Sequence, residues 1–99
     1  MHFRFGTKRL KELYYEEKRA QKYPAQVVQS FFEVMAIIAN ALDERDLYAF
    51  KSLHFEQLKG KRGERSIRLN REYRLIVAVE QDQAGNCMVI IRINKHYGD

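Results

Sequence analysis

Two histidines and a run of cations are the side chains in this sequence best suited to chemistry. His54 precedes, and His96 follows, the stretch 59–74, in which seven Lys or Arg stand against two Glu. An imidazole exchanges a proton near neutral pH, and a guanidinium stabilises charge as it develops on a phosphate. With a ribose 2′-hydroxyl as internal nucleophile, RNA cleavage asks for a general base, a general acid and cationic stabilisation of the pentacoordinate phosphate, and for no metal. His54 and His96 are therefore candidates for proton transfer. A histidine near a strand end also serves as an ordinary surface or hydrogen-bonded residue, and His2 is read that way.

The charge distribution points to a partner for such chemistry. The chain carries 18 Lys and Arg and 13 Asp and Glu, a net charge of +5. Outside residues 59–74 the signs balance at eleven each, so the whole excess falls in that one run. A surplus focused between strand-like segments is an electrostatic footprint for a polyanion, nucleic acid first. Lys59, Lys61, Arg62, Arg65, Arg68, Arg71 and Arg74 are its available phosphate contacts. Tyr73 and Tyr97 are the stacking candidates, Tyr73 equally a core residue. A charge of this size makes unaided RNA binding modest and salt-sensitive.

Other chemistries find little support. The single cysteine, Cys87, precedes an apolar run, cannot form an internal disulfide and reads as a buried, inert thiol. The three histidines are scattered and no ligand pair has helical or hairpin spacing, so neither a metal site nor a cofactor is expected. Gly60 and Gly63 lack the strand-to-helix setting of a phosphate-cradling loop. No apolar stretch approaches the ~20 residues that span a bilayer, and the N-terminal residues hold no signal-peptide core, so a cytoplasmic protein is expected.

The elements that must position these groups follow from periodicity. Ninety-nine residues, 45% of them apolar, support a single domain (1–99) with one modest core. Residues 2–5 alternate as a short strand that turns at Gly6. Thr7 is placed to cap a charged, mostly exposed helix running from 8 to about 22, with Leu10, Leu13 and Tyr14 as its narrow apolar stripe. Tyr23-Pro24 breaks it, and a second helix starts near Pro24. Its stripe is Val28, Phe31, Phe32, Met35, Ile38, Ala39 and Leu42, and Asp43-Glu44 ends it. After a short, potentially helical connection the period falls from 3.6 to 2, with strands at 53–58, 66–69, 73–80 and 87–93. Gly85 supplies a positive φ for the hairpin at 82–86. Helices first and antiparallel strands afterwards define an α+β domain, an N-terminal strand and two helices packed on an antiparallel sheet.

Alternation also assigns faces. Ile67 and Leu69 point one way and Arg68 the other; Arg74 points away from Tyr73 and Leu75. If the helices cover Ile67 and Leu69, Arg68 and Arg74 project together from the open face. His54, Glu56 and Leu58 share one face of the preceding strand.

The stretch Leu53-His54-Phe55-Glu56-Gln57-Leu58-Lys59-Gly60, with Ser66-Ile67-Arg68-Leu69-Asn70 and Tyr73-Arg74-Leu75, resembles the RelE/ParE superfamily of type II toxin–antitoxin toxins, closest to its HigB branch. The resemblance covers roughly residues 8 to 97. It implies a small toxin that cuts mRNA in the ribosomal decoding site by 2′-hydroxyl attack, leaving a cyclic phosphate. By the same resemblance His54 takes part in proton transfer, Lys59, Arg68 and Arg74 hold the scissile phosphate or stabilise its transition state, and His96 matches a C-terminal histidine. HigB relatives often end in Asp-Tyr-His, whereas this chain has Asn94-Lys95-His96-Tyr97, so the carboxylate is missing and the tyrosine displaced. The implied partners are the ribosome, mRNA and a small HigA-like helix-turn-helix antitoxin that covers the basic face, with no membrane. The alternative on the same fold is a ParE-type toxin that inhibits DNA gyrase without nuclease activity; a third reading is an RNA-binding module without catalysis. Fold does not choose among them.

Overall fold

A computed structural model describes residues 1–60 and 63–95 of the chain. The element order is β1 (His2–Phe5), α1 (Lys8–Glu16), a 3₁₀ turn (Ala20–Lys22), α2 (Ala25–Asn40), α3 (Arg45–Tyr48), a second 3₁₀ turn (Lys51–Leu53), β2 (Glu56–Gln57), β3 (Glu64–Arg68), β4 (Tyr73–Asp82) and β5 (Gly85–Lys95). The strands form one sheet in the order β1-β5-β4-β3-β2. Four of them make an antiparallel meander, and β1 returns beside β5 as a parallel edge, which makes the sheet mixed. The domain is α+β, as the order of periodicities requires.

One face of this sheet is covered. Phe31, Met35, Ile38, Leu10 and Leu13 from the helices pack with Ile67, Leu75, Val77, Met88 and Ile90 from the strands into the core, all of them essentially inaccessible. Burying each such side chain contributes about 1.5–3 kcal/mol. A group of rings seals one end: Tyr14 meets Phe3 edge-on at 5.8 Å and stacks on Phe32 at 6.0 Å, so these aromatics serve packing.

Several sequence expectations shift. The first helix ends at Glu16 rather than near 22, because Glu17 and Arg19 take left-handed conformations (φ 53° and 59°). Residues 16–19 offer nothing apolar to hold a helix to the core, and Lys18 and Arg19 instead fold back onto Glu12 at 3.3 and 3.2 Å. Thr7 occupies the first cap position, but its hydroxyl donates to the Ile91 carbonyl (3.1 Å) and caps nothing. The inner stripe of α2 is Val27, Phe31, Val34, Met35 and Ile38. Ala39, still inside the helix, lies off that stripe and is exposed; the helix stops at Asn40 and Ala41 is extended, which carries Leu42 out to 88% exposure. The strand expected at 53–58 shrinks to Glu56–Gln57 behind the 3₁₀ turn.

The hairpin between β4 and β5 turns where expected, with Gly85 at φ 110°. Gly6 has a different reason. Its N–H donates to the Ile90 carbonyl at 2.7 Å, and a Cβ there would meet the Val89 side chain at 3.2 Å.

Candidate active site

The register of β3 and β4 decides the geometry of the open face. Ile67 lies opposite Leu75, both fully buried under the helices, and Arg68 lies opposite Arg74. The two arginines are therefore direct cross-strand partners on the uncovered side, as alternation predicted. Like charges in that position destabilise a sheet, so the pair is a local cost. Arg74 is only partly exposed: its Nη1 donates to the Asn70 carbonyl (2.7 Å) and to the Tyr73 carbonyl (3.1 Å). Burial, and next the charge of Arg68, hold its guanidinium below the usual arginine range, and Glu56 acts in the opposite sense. Arginine stays cationic under such pressure, and its planar fork retains donors for an anion.

The turn between the two strands is built to hold that pair. Asn70 Oδ1 accepts from the N–H groups of Glu72 (2.8 Å) and Tyr73 (2.9 Å), closing a tight bend with Arg71 exposed at its tip. Glu56, on the edge strand, pairs with Ser66 and so shares the face of Arg68 and Arg74. Lys59 is exposed in the turn after that strand.

His54 does not sit on a strand face with Glu56 and Leu58, contrary to expectation. It ends the second 3₁₀ turn with φ 46° and ψ 48°, its N–H donating to the Lys51 carbonyl at 3.1 Å. Its neighbours Leu53 and Phe55 are both buried, Phe55 against the Tyr48 ring at 4.8 Å, and they drive the backbone through a left-handed position that turns His54 outward. A bulky residue there carries a backbone strain of about 1–3 kcal/mol, which persists only where surrounding packing enforces it.

Arg65 belongs elsewhere. It pairs with Val77 on the helix side of the sheet, and its Nε lies 3.4 Å from Glu44 Oε2. The basic run is thus split between two faces, and Arg65 is drawn away from the Arg68–Arg74 pair. Lys61, Arg62, His96 and Tyr97 lie outside the described residues.

One open-face cation escaped sequence reasoning. Pairing between β4 and β5 slips at Ile76/Val77: Ile76 faces Arg92 while Val77 faces Ile90, which leaves Ile91 as a bulged residue. Beyond the bulge the side chains exchange faces, so Arg92 and Asn94 join Ile76 and Arg74 on the open side. Arg92 reaches across β4 to Glu64 (2.9 Å). Ile76, between Ser66 and Arg92, is buried there without helix cover.

The described residues thus place two cross-strand arginines, Arg68 and Arg74, on the sheet face opposite the helices, and expose His54 at the end of a 3₁₀ turn. Residues 2–96 match the model of the HigB-like toxin family, described as RelE-like toxins of type II toxin–antitoxin systems. The chain belongs to that family. It is 35% identical over 77 residues to Toxin HigB-1 of Vibrio cholerae, covering 77% of this chain and 81% of that one. In fold it is similar to a YoeB/ParE toxin from Agrobacterium tumefaciens, with TM-score 0.60 and 20% identity over 98% of this chain and 100% of the other. A HigB-like toxin of a type II system has a cognate antitoxin as its partner. Among the described residues of this toxin, no helix is long and apolar enough to cross a membrane.

Proposed function

We propose that this HigB-like toxin is a ribosome-dependent endoribonuclease that cuts translated mRNA without a metal. The observation that carries the reading is the Arg68–Arg74 pair: two arginines directly opposite in the ladder, close enough for each charge to be felt by the other and at a cost to the sheet, would together hold one phosphate. In the proposed reaction the 2′-oxygen attacks the adjacent phosphorus and the bond to the 5′-oxygen breaks, leaving a 2′,3′-cyclic phosphate. One imidazole takes the 2′-hydroxyl proton and a second acid protonates the departing 5′-oxygen, with His54 and His96 in these roles. Arg68, Arg74 and Lys59 stabilise the charge that builds on the phosphate. Lys61, Arg62 and Arg71 follow the RNA backbone, and Tyr97 stacks on a base. Arg65 drops out of this set because Glu44 holds it on the other face. A net charge of +5 supplies few phosphate contacts, which accords with a substrate presented by the ribosome. A HigA-like antitoxin silences the toxin by covering the basic face.

The test is brief inducible expression in a bacterium followed by mapping of mRNA 5′ ends, comparing the wild type with Arg74→Ala and His54→Ala. Codon-registered cuts that vanish in both variants are expected. Growth arrest with intact mRNA and a DNA-damage response would replace this reading with gyrase inhibition.

A further inference from the structure

The opposite end of the open face holds a second constellation, remote in sequence from the basic run. His2 pairs with Cys87 in the parallel β1–β5 ladder, and Asp82 closes the β4–β5 hairpin opposite Gly85. The pairing puts His2 Nε2 3.6 Å from Asp82 Oδ2. One ligand atom from each of His2, Asp82 and Cys87 lies within 4.8 Å of the other two. His2 and Asp82 are exposed and Cys87 is buried. No such cluster is legible along the chain, because parallel pairing of the first strand with the last is what assembles it.

We infer that His2, Asp82 and Cys87 form a binding site for a divalent transition metal of the zinc class. One imidazole nitrogen, one thiolate sulfur and one carboxylate oxygen are a borderline-soft donor set that suits zinc and its neighbours, whereas magnesium and calcium take oxygen donors. Zinc–ligand bonds of about 2.0–2.3 Å place tetrahedral donors roughly 3.3–3.8 Å apart, so the triad needs to close by about 1 Å. The exposed His2 and Asp82 side chains can supply that by rotation, while Cys87 is fixed in the sheet. The fourth position faces solvent and takes water. Burial first, and then Asp82, push the Cys87 thiol up, with Glu80 acting in the same direction and Arg4 against it, so an incoming metal has to displace the thiol proton. Free Cys87 is consequently protonated and inert. A bound dication reverses this by forming the metal–sulfur bond as the S–H proton leaves to solvent, with no redox change. The N-terminal ammonium donates to the Ala39 and Ala41 carbonyls at the end of α2, so it is occupied elsewhere and holds the start of β1 in place. Bound metal would tie the edge strand to the β4–β5 hairpin, at the far end of the face from Arg68 and Arg74.

The measurement is titration of the untagged full-length toxin with Zn²⁺ by calorimetry and with Co²⁺ by absorption, against Cys87→Ser and His2→Ala. Saturable one-to-one binding, a thiolate-to-cobalt charge-transfer band, an affinity that rises with pH and at least about tenfold weakening in each variant are expected. Absence of saturable binding, a cobalt spectrum without the thiolate band, or wild-type affinity in either variant would overturn the site. If Cys87→Ser fails to fold, the wild-type cobalt band and the exposed His2→Ala variant decide the matter.

Discussion

The two faces of the sheet use the same strands to opposite ends. Under the helices Ile67, Leu75 and Val77 fill the core and Tyr73 packs at its edge, while Arg65, at the margin of the same face, pairs with Glu44. On the open face, one residue out of phase, the strands hold Arg68 against Arg74 where a stability-driven sequence would place opposite charges. The difference teaches how one set of strands divides its tasks: the covered face carries the folding free energy, and the open face gives up a little of it to hold like charges together, which the proposed phosphate grip would use. His54, in a left-handed conformation at the end of the second 3₁₀ turn, stores a further local strain.

Substitutions should separate the faces by what they change. The largest effect belongs to Phe31→Ala, which hollows the covered face and is expected to lose about 3–5 kcal/mol of stability by urea denaturation, with any loss of toxicity following from unfolding. Next comes His54→Asn. Asparagine tolerates the left-handed backbone, so stability should stay within about 1 kcal/mol while cleavage on ribosomes falls by about 100-fold or more. A variant that unfolds would return His54 to a structural role. Smaller again is Arg74→Lys, which keeps the charge but loses the fork that reaches the Asn70 and Tyr73 carbonyls and a phosphate together. Loss of one charge-assisted bond, about 1.5–3 kcal/mol, corresponds to roughly 10- to 100-fold in cleavage rate at nearly unchanged stability. Full activity in this variant would mean that a point charge suffices.

The smallest effect lies away from both faces. The side-chain hydrogen bonds from Arg45 hold the Asp43 carboxyl below its ordinary value. Its folded value being depressed, the stability it adds is present above the ordinary carboxylate range and is lost as pH falls through the lowered value. Urea midpoints at neutral and acid pH should therefore differ slightly less for Asp43→Asn than for the wild type, and an identical pH dependence would show that the exposed pair contributes nothing measurable.

Much of this was legible in the residues. Apolar repeats of three and four marked α2, and alternation separated Ile67 from Arg68. These signals survive because burial imposes a period on each element, 3.6 for a helix and 2 for a strand, whatever the rest of the chain does. What periodicity cannot contain is a break in itself or a partner distant in sequence. The left-handed turn at His54 arises from Leu53 and Phe55 both finding the core. The bulge at Ile91 turns Arg92 and Asn94 toward Arg74, a face that strict alternation denies them. Glu44 withdraws Arg65 from a run that looks continuous in one dimension. Parallel pairing of β1 with β5 brings His2 to Cys87 and Asp82. The sequence by itself determined the middle of the helix stripe and of the core strands, and that Arg68 and Arg74 leave the face that Ile67 and Leu75 fill. The tertiary structure decided which charges meet, because register, bulges and edge pairing depend on the packing of the whole domain.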